Sequence, residues 1–206
     1  MAAPLLQVER LAKQYTRGVI DKRVTFSLAA DFRVDEPQVI GVMGPNGSGK
    51  TTLFELITGS NRPTAGRVLV NGQDIHQVRT RERDRLAIHY HQSYQVRSFQ
   101  RSKPNFMLDY ANSTSPTVHL FDEPQFNTQD GYIGFMLDFF ARLRREGKLV
   151  FLCLHPNEPY HVDILRQSCE RFLFVQKGVV TQAPDFDTLV QDASVRTYLG
   201  ALAPAQ

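Results

Sequence analysis

Two rhythms of apolar residues alternate along the chain. Short apolar runs of strand length, bounded by turn residues, are interleaved with stretches whose apolar positions recur every three or four residues. Residues 5–15 and 24–34 read as two strands joined by a turn around Gly18, and the run Val39-Ile40-Gly41-Val42-Met43 reads as a buried strand. A helix through Leu53, Phe54, Leu56 and Ile57 follows and stops near Gly59. After the turn Pro63-Thr64-Ala65-Gly66 comes a short strand, residues 67–70, closed by the hairpin signal Asn71-Gly72. Residues 78–86 are charged and predict a helix or an extended arm, and 87–92 predict a strand. Residues 93–116 are polar, with Pro104 and Pro116 bounding a helix over 105–111. A buried strand over 117–121 then runs into Asp122-Glu123-Pro124. The strongest helix covers 131–146, where Tyr132, Met136, Phe139, Phe140 and Leu143 form one apolar stripe and Arg142, Arg144 and Arg145 suit the C-terminal dipole. A central strand over 149–154, a helix over 160–168 and a strand over 172–175 turning at Lys177-Gly178 complete the alternation. Residues 185–202 read as two short helices, with a frayed end beyond. The pattern predicts an α/β fold, a parallel-sheet core with an added antiparallel β layer, as one domain over residues 1–206.

Composition narrows the class. At 206 residues with 42% hydrophobic and 22% charged residues, the chain suits a soluble domain with a real core. No apolar run approaches the ~18 residues that span a bilayer, and the start lacks the basic and apolar parts of a signal peptide. Cys153 and Cys169 cannot build a disulfide framework, and Cys153 falls in an apolar strand, where a buried thiol is expected. Together these features point to a cytoplasmic protein. The net charge is +3, but residues 79–103 hold seven basic residues against Glu82 and Asp84. Such a segment can meet an acidic partner, anionic lipid or nucleic acid, although a solvated face explains it more simply; nucleic acid is not the expected partner.

The chemistry starts between the third strand and the following helix. Gly44-Pro45-Asn46-Gly47-Ser48-Gly49-Lys50-Thr51, with Thr52 after it, reads G-x-x-x-x-G-K-[ST], the phosphate-binding loop, in its required strand–loop–helix context. Glycines let consecutive N–H groups turn inward around a triphosphate, and the helix N-terminus adds partial positive charge. Lys50 would reach the β- and γ-phosphates of ATP, and the Thr51 hydroxyl would hold Mg²⁺. Asp122 and Glu123 end a buried strand, where sheets of this class open a ligand crevice. Asp122 suits Mg²⁺, and Glu123 suits the attacking water. His155 ends the next strand and can sense the γ-phosphate; Gln92 ends the strand at 87–92 and can contact Mg²⁺ or the water. His89 and His91 lie on one face of that strand, but without a third ligand nearby they predict no metal site.

In this set the chain resembles the ATP-binding cassette (ABC) ATPases, from about Leu6 to Gln182. Gly44 to Thr52 looks like the family's Walker A, and Val118 to Glu123 with Pro124 like its Walker B and catalytic glutamate. His155 matches the switch histidine, Gln92 the Q-loop glutamine, and Tyr15 is similar to the aromatic that stacks on adenine. The resemblance implies a Mg-dependent ATPase that turns ATP into ADP and phosphate, working with a second cassette subunit and a membrane permease, peripheral on the inner face of the cytoplasmic membrane.

Two departures stand out. Gln92 and Asp122 are 30 residues apart, several dozen fewer than in the family, so the helical subdomain is expected to be truncated near 93–116. No Leu-Ser-Gly-Gly-Gln signature exists; its equivalent, Val96-Arg97-Ser98-Phe99-Gln100, has neither glycine. The segment 125–130 also departs from the family's dimer-contact loop, although Asp130 can serve there. The chain thus keeps what holds and attacks ATP in cis and lacks what it would contribute to a partner's site. That pattern predicts a transport ATPase subunit needing a partner to complete its site, homo- or heterodimeric; the alternative is a nucleotide-dependent regulatory or assembly subunit with little hydrolysis.

Overall fold

The computed structural model describes residues 3–18, 21, 23–91, 116–124 and 132–204. Ten strands among them form one sheet: β1 (Leu6–Arg17), β2 (Arg23–Val34), β3 (Val39–Met43), β4 (Ala65–Val70), β5 (Gln73–Asp74), β6 (Ala87–His91), β7 (Val118–Asp122), β8 (Leu149–Cys153), β9 (Arg171–Gln176) and β10 (Val179–Ala183). The helices are α1 (Lys50–Ile57), α2 (Thr80–Leu86), α3 (Tyr132–Arg145), α4 (Pro159–Ser168), α5 (Phe186–Leu189) and α6 (Ala193–Leu199). The order across the sheet is β5-β4-β1-β2-β10-β9-β3-β8-β7-β6. Strands β9, β3, β8, β7 and β6 are parallel neighbours, whereas β1 pairs antiparallel with β2 and β4. The antiparallel part joins the parallel part edge to edge, with Val179 of β10 beside Ala29 of β2. The sequence pattern does not distinguish β10 from the turn before it.

Strand alternation sorts side chains into two cores. On one face, Ile40 and Val42 of β3, Leu120 of β7 and Phe151 of β8 share a cluster with Leu6, Val8, Leu28 and Phe32 of β1 and β2. All of them enclose Leu53, Phe54 and Leu56 of α1. Side chains from separate parts of one sheet can meet on one helix only if the sheet curls round it. On the other face, Met43, Phe121, Leu152 and Phe172 pack with Met136, Phe139, Phe140 and Leu143 of α3, and with residues of α4, α5 and α6. From Met136 to Leu143, the stripe expected on α3 is therefore the face that it buries. The Asn71-Gly72 turn takes the paired positive φ angles, 50° and 77°, that a two-residue hairpin needs. Among the described residues, no helix is long and apolar enough to cross a membrane.

Candidate functional site

Two buried elements fix the loop at both ends. β3 is buried at every position and leads into Gly44; α1 leaves from Gly49. Gly44 sits at φ +147°, and a Cβ there would lie 2.0 Å from the Val175 carbonyl oxygen of β9. No other residue fits so close to that strand. Helix α1 starts on Gly49 with no side-chain cap, which leaves its first-turn N–H groups to an anion.

The side chains of the loop have the same requirement. Lys50 is only 6% exposed, and its Nζ donates to the carbonyls of Gly44 (2.6 Å) and Pro45 (3.0 Å). None of the ion pairs among the described residues involves it. The Ser48 hydroxyl is buried without a hydrogen-bond partner. A buried ammonium held by carbonyls and a buried orphan hydroxyl are both costly on their own, and a phosphate offers the charge and the acceptors that they need.

Thr51, the next residue, connects the loop to the end of β7. Its Oγ1 donates to Asp122 Oδ2 at 3.0 Å, and His89 Nε2 of the neighbouring strand β6 lies 3.3 Å from the same oxygen. Burial alone would raise the Asp122 carboxyl. The His89 hydrogen bond and charge, with bonds from Thr51 and Cys153, outweigh it and hold the group below the usual carboxylate range. Asp122 is thus a buried anion beside the loop, the donor type that a hard divalent cation such as Mg²⁺ requires. His89 is therefore a partner of this carboxylate, a role that the alternation of His89 and His91 gave no sign of.

Glu123 turns out of the strand. Its amide donates to the Cys153 carbonyl at 3.0 Å while its φ of +51° puts a non-glycine residue in the left-handed region, a strain typical of functional sites. Its side chain, half-buried, shares a cavity of about 440 Å³ with residues 46–52 of the loop and with Tyr15, Thr25 and Phe26. Tyr15 is held in β1 by a bond from Asn61 Nδ2 to its hydroxyl (2.6 Å), and Lys13 Nζ lies 5.1 Å from its ring centre. Phe26 of β2, 6.2 Å from Tyr15 between ring centres, is a second aromatic wall that the sequence pattern did not single out.

His155 follows β8 on an exposed, irregular segment. Its Nδ1 lies 2.9 Å from the Tyr198 hydroxyl of α6. Tyr198 was missed because nothing in sequence links it to a residue 43 positions earlier. Of the expected site residues, Tyr15, Gly44, Pro45, Asn46, Gly47, Ser48, Gly49, Lys50, Thr51, Thr52, Asp122, Glu123 and His155 are placed around the loop and the adjoining strand ends. Gln92, the stretch 96–100, the truncation expected near 93–116, and Asp130 lie outside the described residues.

Fold and loop together define a P-loop fold of the curled α/β class. The profile of the family described as ABC transporter matches residues 29–105. The lipoprotein-releasing system ATP-binding protein LolD of Coxiella burnetii is 36% identical over 84 residues, 41% of this chain and 35% of that protein. The lipopolysaccharide export system ATP-binding protein LptB of Acidithiobacillus ferridurans is 36% identical over 86 residues, 42% of this chain and 33% of its own length. The alignments thus span about a third of these relatives. A solved ATP-binding subunit of an ABC transporter superposes with a TM-score of 0.68 over 97% of this chain and all of its own, at 18% identity. A bacterial Atm1-family ABC exporter solved with ATP bound gives 0.70 over 99% of this chain and 42% of its own, at 16% identity, a likeness of fold. The sequence likeness to ATP-binding cassette proteins thus covers part of the chain, and the likeness of fold extends over most of it.

Proposed function

We propose that this chain binds Mg·ATP and hydrolyses it as the nucleotide-binding subunit of an ABC-type transport system. The observation that carries the reading is the bond between Thr51 and Asp122, which couples the phosphate loop to a strand end whose next residue, Glu123, lines the same cavity. Tyr15 takes the adenine face, and residues 44–52 cradle the phosphates with Lys50 on the β- and γ-oxygens. Thr51 and Asp122 are the residues to hold Mg²⁺, which when bound neutralises charge on those oxygens. Glu123 orients a water and takes its proton as the water oxygen bonds to the γ-phosphorus. The bond to the β,γ-bridging oxygen breaks, releasing ADP and phosphate. His155 donates to the γ-phosphate and distinguishes ATP from ADP. Stretch 96–100 lacks signature glycines, which supports completion of the site by a second cassette subunit, with a membrane permease placing the pair on the inner face of the cytoplasmic membrane.

Turnover measured against chain concentration, with Glu123→Gln as control, tests this. ATP binding with turnover that appears on self-association or on adding a partner cassette, and disappears in Glu123→Gln, is expected. Turnover that survives Glu123→Gln removes Glu123 from the mechanism, and failure of the wild type to bind ATP refutes the reading.

A further inference from the structure

Helix α6 lies far from His155 in sequence and reaches it in space. Its outer residues anchor it: Val195 and Leu199 are buried in the core, and Asp192 caps the helix by accepting from the Ser194 amide at 2.7 Å. Between those anchors Tyr198 sets its ring 5.7 Å from Phe174 of β9, between centres, and 5.7 Å from the imidazole of His155. The phenol is thus held by the core, whereas His155 stands exposed on a segment without regular structure. Among the described residues, the side chain of His155 is hydrogen-bonded through Nδ1, 2.9 Å from the Tyr198 hydroxyl.

The chemistry of the two groups sets the direction of that bond. A phenol carries one O–H donor, and the bare nitrogen of a neutral imidazole is an acceptor that needs one. With Nδ1 2.9 Å away, the phenol proton is in place to be donated to it. Burial pushes the Tyr198 phenol far above its ordinary range, so that proton is present at every working pH. An Nδ1 that accepts carries no proton, and a neutral imidazole then carries its single proton on Nε2.

We propose that Tyr198 is a positioning residue: its hydroxyl, held by the packing of its ring on Phe174, donates to His155 Nδ1 and fixes the imidazole in the Nε2–H tautomer, so that a donor is presented to the terminal phosphate of a nucleoside triphosphate. This rests on the loop being the ATP site proposed above. Tyr198 touches no reacting atom; it acts through His155. The arrangement also makes the C-terminal helix part of the nucleotide site, because a shift of α6 moves the histidine.

Tyr198→Phe keeps the ring and its packing and removes only the hydroxyl. Long-range ¹⁵N–¹H correlation spectra of the nucleotide-free chain at pH 8 report the tautomer without relying on ATP. The wild type is expected to show an Nε2-protonated His155, and Tyr198→Phe a mixture of both tautomers. Identical spectra overturn the proposal. In the Glu123→Gln background, affinities for Mg·ATP and Mg·ADP are then measured with and without Tyr198→Phe. Loss of one oriented hydrogen bond predicts a three- to tenfold fall in the preference for ATP, roughly the range for such bonds, with ADP affinity unchanged. With His155→Ala already present, Tyr198→Phe is expected to add nothing. An equal loss for both nucleotides, or an effect that persists without His155, assigns Tyr198 a merely structural part and also overturns it. If the wild type binds no ATP, the ATP-site reading falls, whereas the tautomer spectra still decide whether Tyr198 controls His155.

Discussion

His119 gives this fold a calculable sensitivity to acid. It lies in β7, fully buried, three residues before Asp122. Its ring stacks on Phe121 and Tyr90, with centres 6.4 and 5.9 Å away, and its Nδ1 lies 3.1 Å from the Tyr90 hydroxyl. Burial above all, then the charge of Lys148, push its pKa down from 6.5 to about 4, with a bond to the Pro116 backbone opposing in part. The folded chain therefore holds this ring neutral, while the unfolded chain protonates it below about 6.5. Protons favour the unfolded state through that window, so stability is complete above it and is lost as the pH falls towards 4. At about 1.4 kcal/mol per unit, the full loss is about 3 kcal/mol, of which about 2 fall between pH 7 and pH 5. Replacing His119 with Phe keeps an aromatic stack and removes the titration. Tyr90 then loses a partner, which costs about 1 kcal/mol at every pH. Urea unfolding at pH 7 and pH 5 separates the two effects. The stability lost between those pH values should shrink by about 2 kcal/mol in His119→Phe. An equal loss in wild type and variant would show that His119 is not the titrating group. Because β7 carries Asp122 and Glu123, nucleotide binding should weaken along with stability.

Other consequences are more local. Gly44→Ala would force a Cβ to within 2.0 Å of the Val175 carbonyl, so a loss of more than about 2 kcal/mol of stability and of nucleotide binding is expected, read by thermal melting with and without ATP. Tyr15→Ala should weaken ATP binding about fivefold or more, because an aromatic–base stack contributes about 1–3 kcal/mol, while Tyr15→Phe should retain most of it. Equal ATP affinity in Tyr15→Ala would remove Tyr15 as the adenine platform.

Which parts were legible in sequence follows from how local each feature is. The phosphate loop could be read directly, because its function depends on residue types at fixed spacing between one strand and one helix. The stripe on α3 and the acids at the end of β7 could be read for the same reason. The joining of β2 to β10 could not, because Ala29 and Val179 are brought together by the curl of the whole sheet and by nothing in either segment. The positive φ of Glu123 is imposed by its amide bond to Cys153 on the neighbouring strand, and glutamate carries no signal for it. His89 at Asp122 and Tyr198 at His155 are likewise contacts between elements distant in the chain. In each pair one member had a recognisable role, and its partner was visible only after folding.

If the loop at 44–52 holds a nucleoside triphosphate, the buried Lys50 is the residue whose removal should abolish binding. The most direct test is the affinity of the purified chain for Mg·ATP by titration calorimetry, wild type beside Lys50→Ala, with the fold of the variant checked by circular dichroism. Saturable binding by the wild type and its loss in a folded Lys50→Ala is the predicted result. Equal affinity in the two proteins would contradict it.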